Sequence, residues 1–297
     1  MPCVDCLHMR MRAEHRKGIG LSLAAVAIVV CTCGVARAQG TAAGASPPKQ
    51  SLDGAPGDTQ ATPTMMPKGA DPDWEVVTVK PGDPYAKSDH IDQHGRHVTL
   101  ENETVEMLIW AGNNVHKSQI AGLPEWAKTE RWTVDGLADV EGEPDVVQLQ
   151  TLMRKVLAER FGLKLHREQR ELQVYALRAA KGGSKLTANT SDPNGESDER
   201  GRHGVGWQMY QYTNTSIAEF VLEMLWAVDR PIVDQTGLKG RYDFQLKWLT
   251  DENHAMDPDA PPGLFTAIQE QLGLKLEPVK AAADVLVIDK VERPGAN

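Results

Sequence analysis

Cysteine is missing from most of this chain. All four cysteines, Cys3, Cys6, Cys31 and Cys33, lie within the first 38 of its 297 residues. The remainder therefore has no disulfide framework, no Cys-ligated zinc or iron–sulfur site and no catalytic thiol. Its folding must rest on a hydrophobic core.

Positive charge is also scarce. Residues 1–38 hold five Lys or Arg and two Asp or Glu, which leaves 32 − 5 = 27 positive and 41 − 2 = 39 negative residues, a net charge of −12. An acidic chain without a basic stripe repels nucleic-acid phosphates and anionic lipid surfaces. We therefore expect no nucleic-acid partner, and contact with a membrane only through the N-terminal segment.

The motifs of common catalysts are missing too. The sequence contains neither a G-x-S-x-G nucleophile elbow nor an H-E-x-x-H zinc helix. Acidic residues occur in pairs, but an acidic surface supplies such pairs without catalysis. We expect no catalytic residue and no cofactor. A hydrolase acting on envelope or extracellular polymers is the alternative class.

The N-terminus carries an export signal. Basic residues precede an apolar run at 19–35, and Ala36 and Ala38 supply the small residues of a cleavage site before Gln39. This layout predicts a signal peptide over residues 1–38 and an exported protein, periplasmic or extracellular. Because the apolar run is near the lower length limit for a membrane span, an uncleaved N-terminal anchor is the alternative.

Composition divides the rest of the chain into four segments. Residues 39–73 are rich in Gly, Ala, Ser, Pro and Thr and are predicted to form a disordered linker. Residues 181–206 are polar and rich in turn residues, which predicts a connecting loop. Two units that mix helices and strands are predicted over 74–180 and 207–297.

These two units resemble each other. FGLKLHREQRELQVYAL at 161–177 aligns without a gap with LGLKLEPVKAAADVLVI at 272–288, a shift of 272 − 161 = 111 positions. Hydrophobic periodicity predicts strand–helix–strand–helix–strand–strand in each unit, with the last two strands as a hairpin. Gly162 and Gly273 are predicted to end equivalent helices. We therefore predict an α+β fold of two pseudo-repeated units, packed as one body about a pseudo-twofold axis.

Three histidines, His90, His94 and His97, form the best candidate for a metal site. Imidazole suits zinc, copper or nickel, and Asp89 or Asp92 would add a further ligand. The stretch is predicted to be a loop before a strand, so no helix presents these side chains on one face. The alternative is a solvated loop that binds no metal.

Two other groups are candidates for contact with a ligand or partner. Trp126 lies in the predicted loop GLPEWAKTE, where an exposed indole offers a flat apolar surface. In RPIVDQTGLKGRYDF, the side chains of Arg230, Asp234 and Arg241 are predicted to form a buried ion-pair corner beside a ligand. The alternative is a rigid connector into the following strand, because Gly and Pro need no ligand to explain them.

Several segments together resemble a known family. They are WEVVTVKP, ERWTVDG, RPIVDQTGLKGRYDFQLKW and LFTAIQEQLGLKLEPVKAAADVLVIDKVERP. The combination, from Trp74 to Pro294, is similar to a large paralogous family of uncharacterised exported proteins from soil acidobacteria, defined as a domain of unknown function. Some members are fused to a BlaR-type sensor peptidase, which implies sensing or binding outside the membrane. This chain departs from the family pattern at GNNVH (Gly112–His116), and no catalytic residue is established for the family.

These observations predict a non-catalytic binding or protein-interaction module in the periplasm or outside the cell. We expect its partner to be an envelope protein or a small ligand, met at exposed loops or along a sheet edge.

Overall fold

The computed structural model describes residues 64–86, 88–192, 195–250 and 260–295. The predicted signal peptide and residues 39–63 of the predicted linker lie outside these ranges. Within them, no helix has the length and apolar character needed to cross a membrane.

The described chain up to residue 179 forms six strands and three α-helices. In order they are β1 (Trp74–Pro81), β2 (His90–His94), β3 (His97–Thr104), α1 (Val105–Asn113), β4 (Ile120–Ala121), α2 (Glu125–Thr129), β5 (Arg131–Ala138), α3 (Val146–Arg160) and β6 (Lys164–Ala179). A 3-10 helix, Lys117–Gln119, precedes β4. The side chains of Thr104 and Asp145 accept hydrogen bonds from the first turns of α1 and α3, as expected for N-cap residues.

The rest of the described chain follows a similar order. Its elements are β7 (Thr187–Asn189), β8 (Asp198–Gly204), β9 (Trp207–Ser216), α4 (Ile217–Met224), β10 (Ile232–Asp234), β11 (Arg241–Leu249), α5 (Leu264–Ala267) and β12 (Leu274–Lys290). A π-helical turn, Ile268–Leu272, continues α5. Ser216 and Glu219 form a capping box at the start of α4. Mixed helix and strand content confirms the α+β class.

The described strands form three four-stranded sheets. Two are antiparallel, with strand orders β1–β5–β3–β2 and β7–β11–β9–β8. The third has the order β10–β6–β12–β4, with β6 and β12 antiparallel. In it β10 runs parallel to β6 and β4 runs parallel to β12. Each half of the described chain therefore sends a short strand to the long strand of the other half.

The hairpin predicted at the end of each unit is wrong. β6 is one strand of 16 residues and β12 is one strand of 17 residues. They pair with each other along their whole length, from Leu274 opposite Ala179 to Lys290 opposite Lys164. Neither strand contains a glycine that would favour a turn. Pro278 has no N–H, but at its position in β12 the pairing with β6 requires none, so the proline does not interrupt the strand.

Two segments predicted to be irregular carry structure. The predicted loop 181–206 contains β7 and β8. β8 is an edge strand with mostly exposed side chains, so its composition is that of a loop although its backbone pairs with β9. Residues 64–73 of the predicted linker pack on the fold, because Met66 is buried and its N–H donates to the Glu143 carbonyl (2.9 Å).

Two hydrophobic cores lie at opposite ends of the β6–β12 pair. The first lies between the β1–β5–β3–β2 sheet and helices α1 and α3, and it includes Leu286 and Ile288 of β12. The second lies between the β7–β11–β9–β8 sheet and helices α4 and α5, and it includes Tyr175 and Leu177 of β6. Each half therefore completes the core of the other, and the described residues belong to one compact unit.

Candidate interaction surface

The three candidate histidines lie on a β-hairpin formed by β2 and β3, not on the predicted loop. His94 is directly opposite His97, whereas His90 lies four residues away, about 13 Å along an extended strand. The Nε2 atom of His94 is 3.2 Å from Asp92, and that of His97 is 2.7 Å from Asp135. The part of the chain that the structure describes holds no group of three His, Cys, Asp or Glu arranged to bind a metal ion.

Trp126 is held by its own chain. It lies in α2, not in the predicted loop, and is half-buried against the first core. The guanidinium carbon of Arg293 is 4.9 Å from the indole ring centre, and Arg293 pairs with Glu130 at 2.6 Å. A ligand stacking on the ring would have to displace this cation.

The predicted corner of Arg230, Asp234 and Arg241 does not form. Arg230 pairs with its neighbour Asp229 at 2.8 Å. The carboxylate of Asp234 is exposed and accepts a hydrogen bond from the backbone N–H of Thr236 (2.8 Å), as in an ordinary turn. The segment therefore acts as a connector through β10 into β11, which is the structural alternative.

Arg241 has an internal role. Its Nε donates to the Asn214 carbonyl (2.6 Å) and its guanidinium lies 3.1 Å from Glu219. Asn214 has φ of +53° at a bulge before α4, a conformation that asparagine tolerates. Asn102 has φ of +62° before α1, and its carbonyl accepts from Arg131 at 2.8 Å. The same asparagine–arginine arrangement thus stabilises the start of both helices.

Sequence reasoning missed a cluster around Tyr175. The Tyr175 hydroxyl donates to Asp229 Oδ1 (2.8 Å), and the Arg230 guanidinium carbon lies 4.7 Å from the ring centre. The hydrogen bonds from Arg230 and Tyr175 lower the pKa of Asp229 to about 2. The three side chains together secure the connector before β10 to β6. Only the apolar pattern around Tyr175 was visible in the sequence.

The role of His116, at the end of GNNVH, was also not predicted from the sequence. It is 4% exposed, and burial lowers its pKa. Its Nδ1 accepts from the backbone N–H of Ser118 (3.1 Å), so the ring proton is on Nε2, which lies 3.3 Å from the Val228 carbonyl. A neutral imidazole therefore caps the 3-10 helix and bonds to the other half of the chain.

The middle of the β6–β12 pair is a two-stranded ribbon with open edges. β10 pairs with β6 only at Tyr175–Leu177, and β4 pairs with β12 only at Leu286–Val287. Among the described residues, no other strand lies beside 164–174 of β6 or 275–283 of β12. These two stretches are the open edges of the ribbon.

Hydrogen bonds to the neighbouring connector show which backbone groups face outward. Tyr175 donates its N–H to the Pro231 carbonyl (2.7 Å), and the Leu177 carbonyl accepts from Gln235 (2.9 Å). Odd-numbered residues of β6 therefore direct N–H and C=O away from β12, and the pairing continues without a shift from Ala179 back to Leu165. Because Tyr175 is opposite Pro278, even-numbered residues of β12 face outward at the other edge.

The two edges carry different side chains. β6 has charges of both signs in HREQRELQ at 166–173, whereas β12 has KAAAD at 280–284. His166 lies between Asp289 (2.9 Å) and Glu168 (3.0 Å), and the hydrogen bonds to these two carboxylates raise its pKa. The ribbon is therefore polar along β6 and small and neutral in the middle of β12.

Comparison with known proteins places the chain in a family. Searches of the curated proteins and of the solved structures found no match. The model of a family described as "Protein of unknown function (DUF3738)" matches residues 106–291, more than half of the chain. The matched stretch begins in α1 and ends just past β12, so it contains the whole ribbon. The chain therefore belongs to the family of proteins of unknown function DUF3738.

Proposed function

We propose that this protein is an exported, non-catalytic interaction module that binds an extended segment of an envelope or extracellular protein along the open edge of β12. The observation that carries the proposal is the row of outward N–H and C=O groups at Lys280 and Ala282, both exposed and with no strand beside them among the described residues. An added strand gains its affinity from such main-chain hydrogen bonds.

The side chains of this edge suit close approach by another backbone. Residues 281–283 are all alanine, so no large side chain covers the edge. Charged residues, which often protect an edge from pairing, flank the alanines at Lys280 and Asp284, and Lys275 and Glu277 farther along the edge pair with each other. The carbonyl of Asp284 is already bonded to the Gln119 side chain (2.7 Å), which limits the open edge on that side.

Export and the nature of the partner rest on the N-terminal sequence. The basic residues, the apolar run at 19–35 and the small residues before Gln39 are the pattern of a secretory signal. A module released by that signal meets envelope or extracellular proteins, and its net charge of −12 disfavours nucleic acid.

A tandem duplication is part of this proposal. Gly162 and Gly273 have φ of +57° and +66°, and each lies just after a helical segment. Tyr175 pairs with β10 and Leu286 pairs with β4, and 286 − 175 = 111, which is the shift between the matching sequences. These correspondences support two copied units whose long strands cross. Duplication also explains why the ribbon has two open edges of similar length.

A hydrolase is the second candidate, and one contact favours it. The Ser118 hydroxyl lies 2.8 Å from His116 Nδ1, as in a nucleophile–base pair. That nitrogen has a single lone pair, however, and it already accepts the Ser118 backbone N–H. We therefore assign the pair to helix capping. Substitution Ser118→Ala is expected to leave any esterase background of the purified chain unchanged.

Affinity capture with matched edge variants tests the proposed function. Ala282→Pro removes one outward N–H of β12 without touching the bonds to β6, and native Pro278 has the same placement. Glu171→Pro is the control, because Glu171 is directly opposite Ala282 and faces out on the β6 edge. The chain from Gln39 onward and both variants are used as bait on native periplasm and membranes, with mass spectrometry.

The expected result is a protein that binds the unmodified chain and Glu171→Pro but not Ala282→Pro. Circular dichroism checks that all three baits keep the same fold. A partner that still binds the Ala282→Pro variant would show that the binding surface is not the β12 edge. If the chain hydrolyses an envelope polymer and this activity depends on Ser118, the protein is a hydrolase and not a non-catalytic interaction module.

A further inference from the structure

The open edge of β6 carries charged side chains of both signs. Arg167, Gln169 and Glu171 are exposed, and as odd-numbered residues they also direct their N–H and C=O outward. Glu171 makes only a long contact with Lys280, 3.8 Å between two well-exposed side chains. Arg167 has no ion-pair partner among the described residues. Charged side chains along an edge disfavour pairing in any register that brings like charges together.

One antiparallel register of the edge with its own copy brings only opposite charges together. Centred on Gln169, it places each Arg167 opposite Glu171 of the second copy and each Glu168 opposite Arg170. Centres at Glu168, Arg170 or Glu171 would instead place that residue opposite its own copy. Opposite charges across strands stabilise the pairing, and like charges destabilise it.

The length of the open edge selects the same centre. β6 begins at Lys164, and the connector to β10 covers its edge from Tyr175 onward. The open stretch is therefore 164–174, and its midpoint is (164 + 174)/2 = 169. Two copies that pair about Gln169 overlap along the whole open stretch, whereas a shifted register leaves part of it unpaired. Gly162, with φ of +57°, turns the chain away just before the strand.

Backbone geometry also permits this register. In a pair centred on Gln169, odd-numbered residues face odd-numbered residues, and these are the residues with outward N–H and C=O groups. They form the hydrogen-bonded pairs of the new antiparallel ladder, and the charged pairs of Glu168 with Arg170 lie at the closer, non-hydrogen-bonded positions. We propose that two copies of this protein form a twofold dimer by antiparallel pairing of their β6 edges about Gln169.

The β12 edge fits a second copy less well. Pro278 has no N–H to donate, and the Asp284 carbonyl is bonded to the Gln119 side chain. The proposed dimer uses the β6 edge and leaves the β12 edge of each copy open. It therefore goes beyond the proposed function and does not depend on it. A dimer would present two such edges, and a partner with two binding segments would gain affinity from the linkage.

Charge exchange tests the dimer and its register together. Sedimentation equilibrium of the chain from Gln39 onward is expected to show a reversible monomer–dimer equilibrium. Arg167→Glu and Glu171→Arg each replace two attractive contacts by two repulsive ones, and each is expected to weaken the dimer about tenfold or more. The double variant restores the opposite charges only in the register centred on Gln169, so it is expected to dimerise like the unmodified chain.

Proline variants supply the matched control. Glu171→Pro is expected to abolish the dimer, because it removes an N–H of the new ladder, while Ala282→Pro at the opposite edge leaves the dimer intact. Circular dichroism confirms the fold of each variant. A monomer at all concentrations, a dimer that none of the substitutions affects, or a double variant that fails to recover would each overturn the proposal. Capture of a partner by the monomeric Arg167→Glu chain would leave the proposed function standing.

Discussion

At the scale of residues, burial and hydrogen bonds decide what the titratable groups do. The buried ring of His116 is neutral and connects the two halves of the chain. One ring nitrogen accepts a hydrogen bond from the backbone N–H of Ser118, and the other donates to the Val228 carbonyl. His97 and His166 are exposed and contact carboxylates instead. The same residue type thus serves as a buried cap or as a surface ion-pair partner, according to the elements around it.

Acid is expected to destabilise the protein through His116. Burial lowers the pKa of its ring below 6.5, so as pH falls below 6.5 the unfolded chain binds a proton there before the folded chain does. The free energy of unfolding therefore falls in that window and recovers as pH rises to 6.5. His116→Asn keeps an N-cap acceptor but does not titrate. Urea unfolding between about pH 5 and about pH 7 is expected to show a shallower pH dependence for the variant.

The pH dependence of His116→Asn distinguishes this effect from a general acid response. Exposed carboxylates contribute equally in both chains, so only the difference between them reports on His116. Equal slopes for the two chains would contradict the assignment. His203→Asn, on the exposed strand β8, is the matched control and is expected to follow the unmodified chain.

The hydroxyl of Tyr175 is expected to support both stability and the acidity of Asp229. Tyr175→Phe removes its hydrogen bond to Asp229, at a cost of about 1 kcal/mol. The pKa of Asp229 should then rise from about 2 but stay below 3.8, because Arg230 remains beside it. Carboxyl chemical shifts followed during acid titration measure this change. Tyr85→Phe, at a ring that is 90% exposed, should alter neither quantity.

At the scale of elements, two glycines end helical segments with the same backbone conformation but different surroundings. A Cβ at Gly162 would meet only a side-chain oxygen of Glu292, at 3.5 Å. A Cβ at Gly273 would collide with the carbonyl oxygen of Gly183, which lies in the turn after β6. Sequence alone treats the two positions as equivalent, and packing makes them different.

This difference gives a matched pair of substitutions. Gly162→Ala is expected to cost about 1 kcal/mol, because alanine disfavours positive φ. Gly273→Ala pays the same conformational cost and should lose about 1–3 kcal/mol more, since the Gly183 backbone must move. Denaturant unfolding of both variants measures the two losses. Equal losses in the free energy of unfolding for the two variants would mean that the backbone at Gly183 moves aside without an energetic cost.

At the scale of the whole molecule, the long strands join the two cores. Leu286 of β12 is fully buried in the first core, and Leu177 of β6 is 1% exposed in the second. Neither half contains all of the strands that its core requires. The described unit should therefore unfold in one cooperative transition, and a break between the halves should affect both cores.

Separating the halves is expected to unfold them. A fragment of residues 64–180 lacks Leu286 and Ile288, so its core is open on one side, and we expect no cooperative thermal transition. Mixing it with residues 181–295 should restore the circular dichroism of the intact chain. Within the intact chain, Leu286→Ala is expected to cost about 2–5 kcal/mol. Val205→Ala, at a side chain 78% exposed, should change stability by less than about 0.5 kcal/mol. Independent folding of the first fragment would contradict the shared core.

Sequence by itself determined the local elements of this protein. Alternating apolar residues in the sequence indicate β1, β3, β5, β9 and β11, and the cap residues Thr104, Asp145 and Ser216 mark the helix starts. These features depend on side chains within a few positions of one another, so they can be predicted from the local sequence.

Tertiary structure alone decided how the long strands run and what their edges expose. β6 and β12 stay extended through residues that read as hairpins, because each finds its partner about a hundred positions away along the chain. The His116–Val228 contact spans 112 positions, and the candidate corner does not form because Arg230 pairs with Asp229 and Arg241 pairs with Glu219. Pairing across such distances depends on which surfaces meet after folding, and local periodicity carries no record of it.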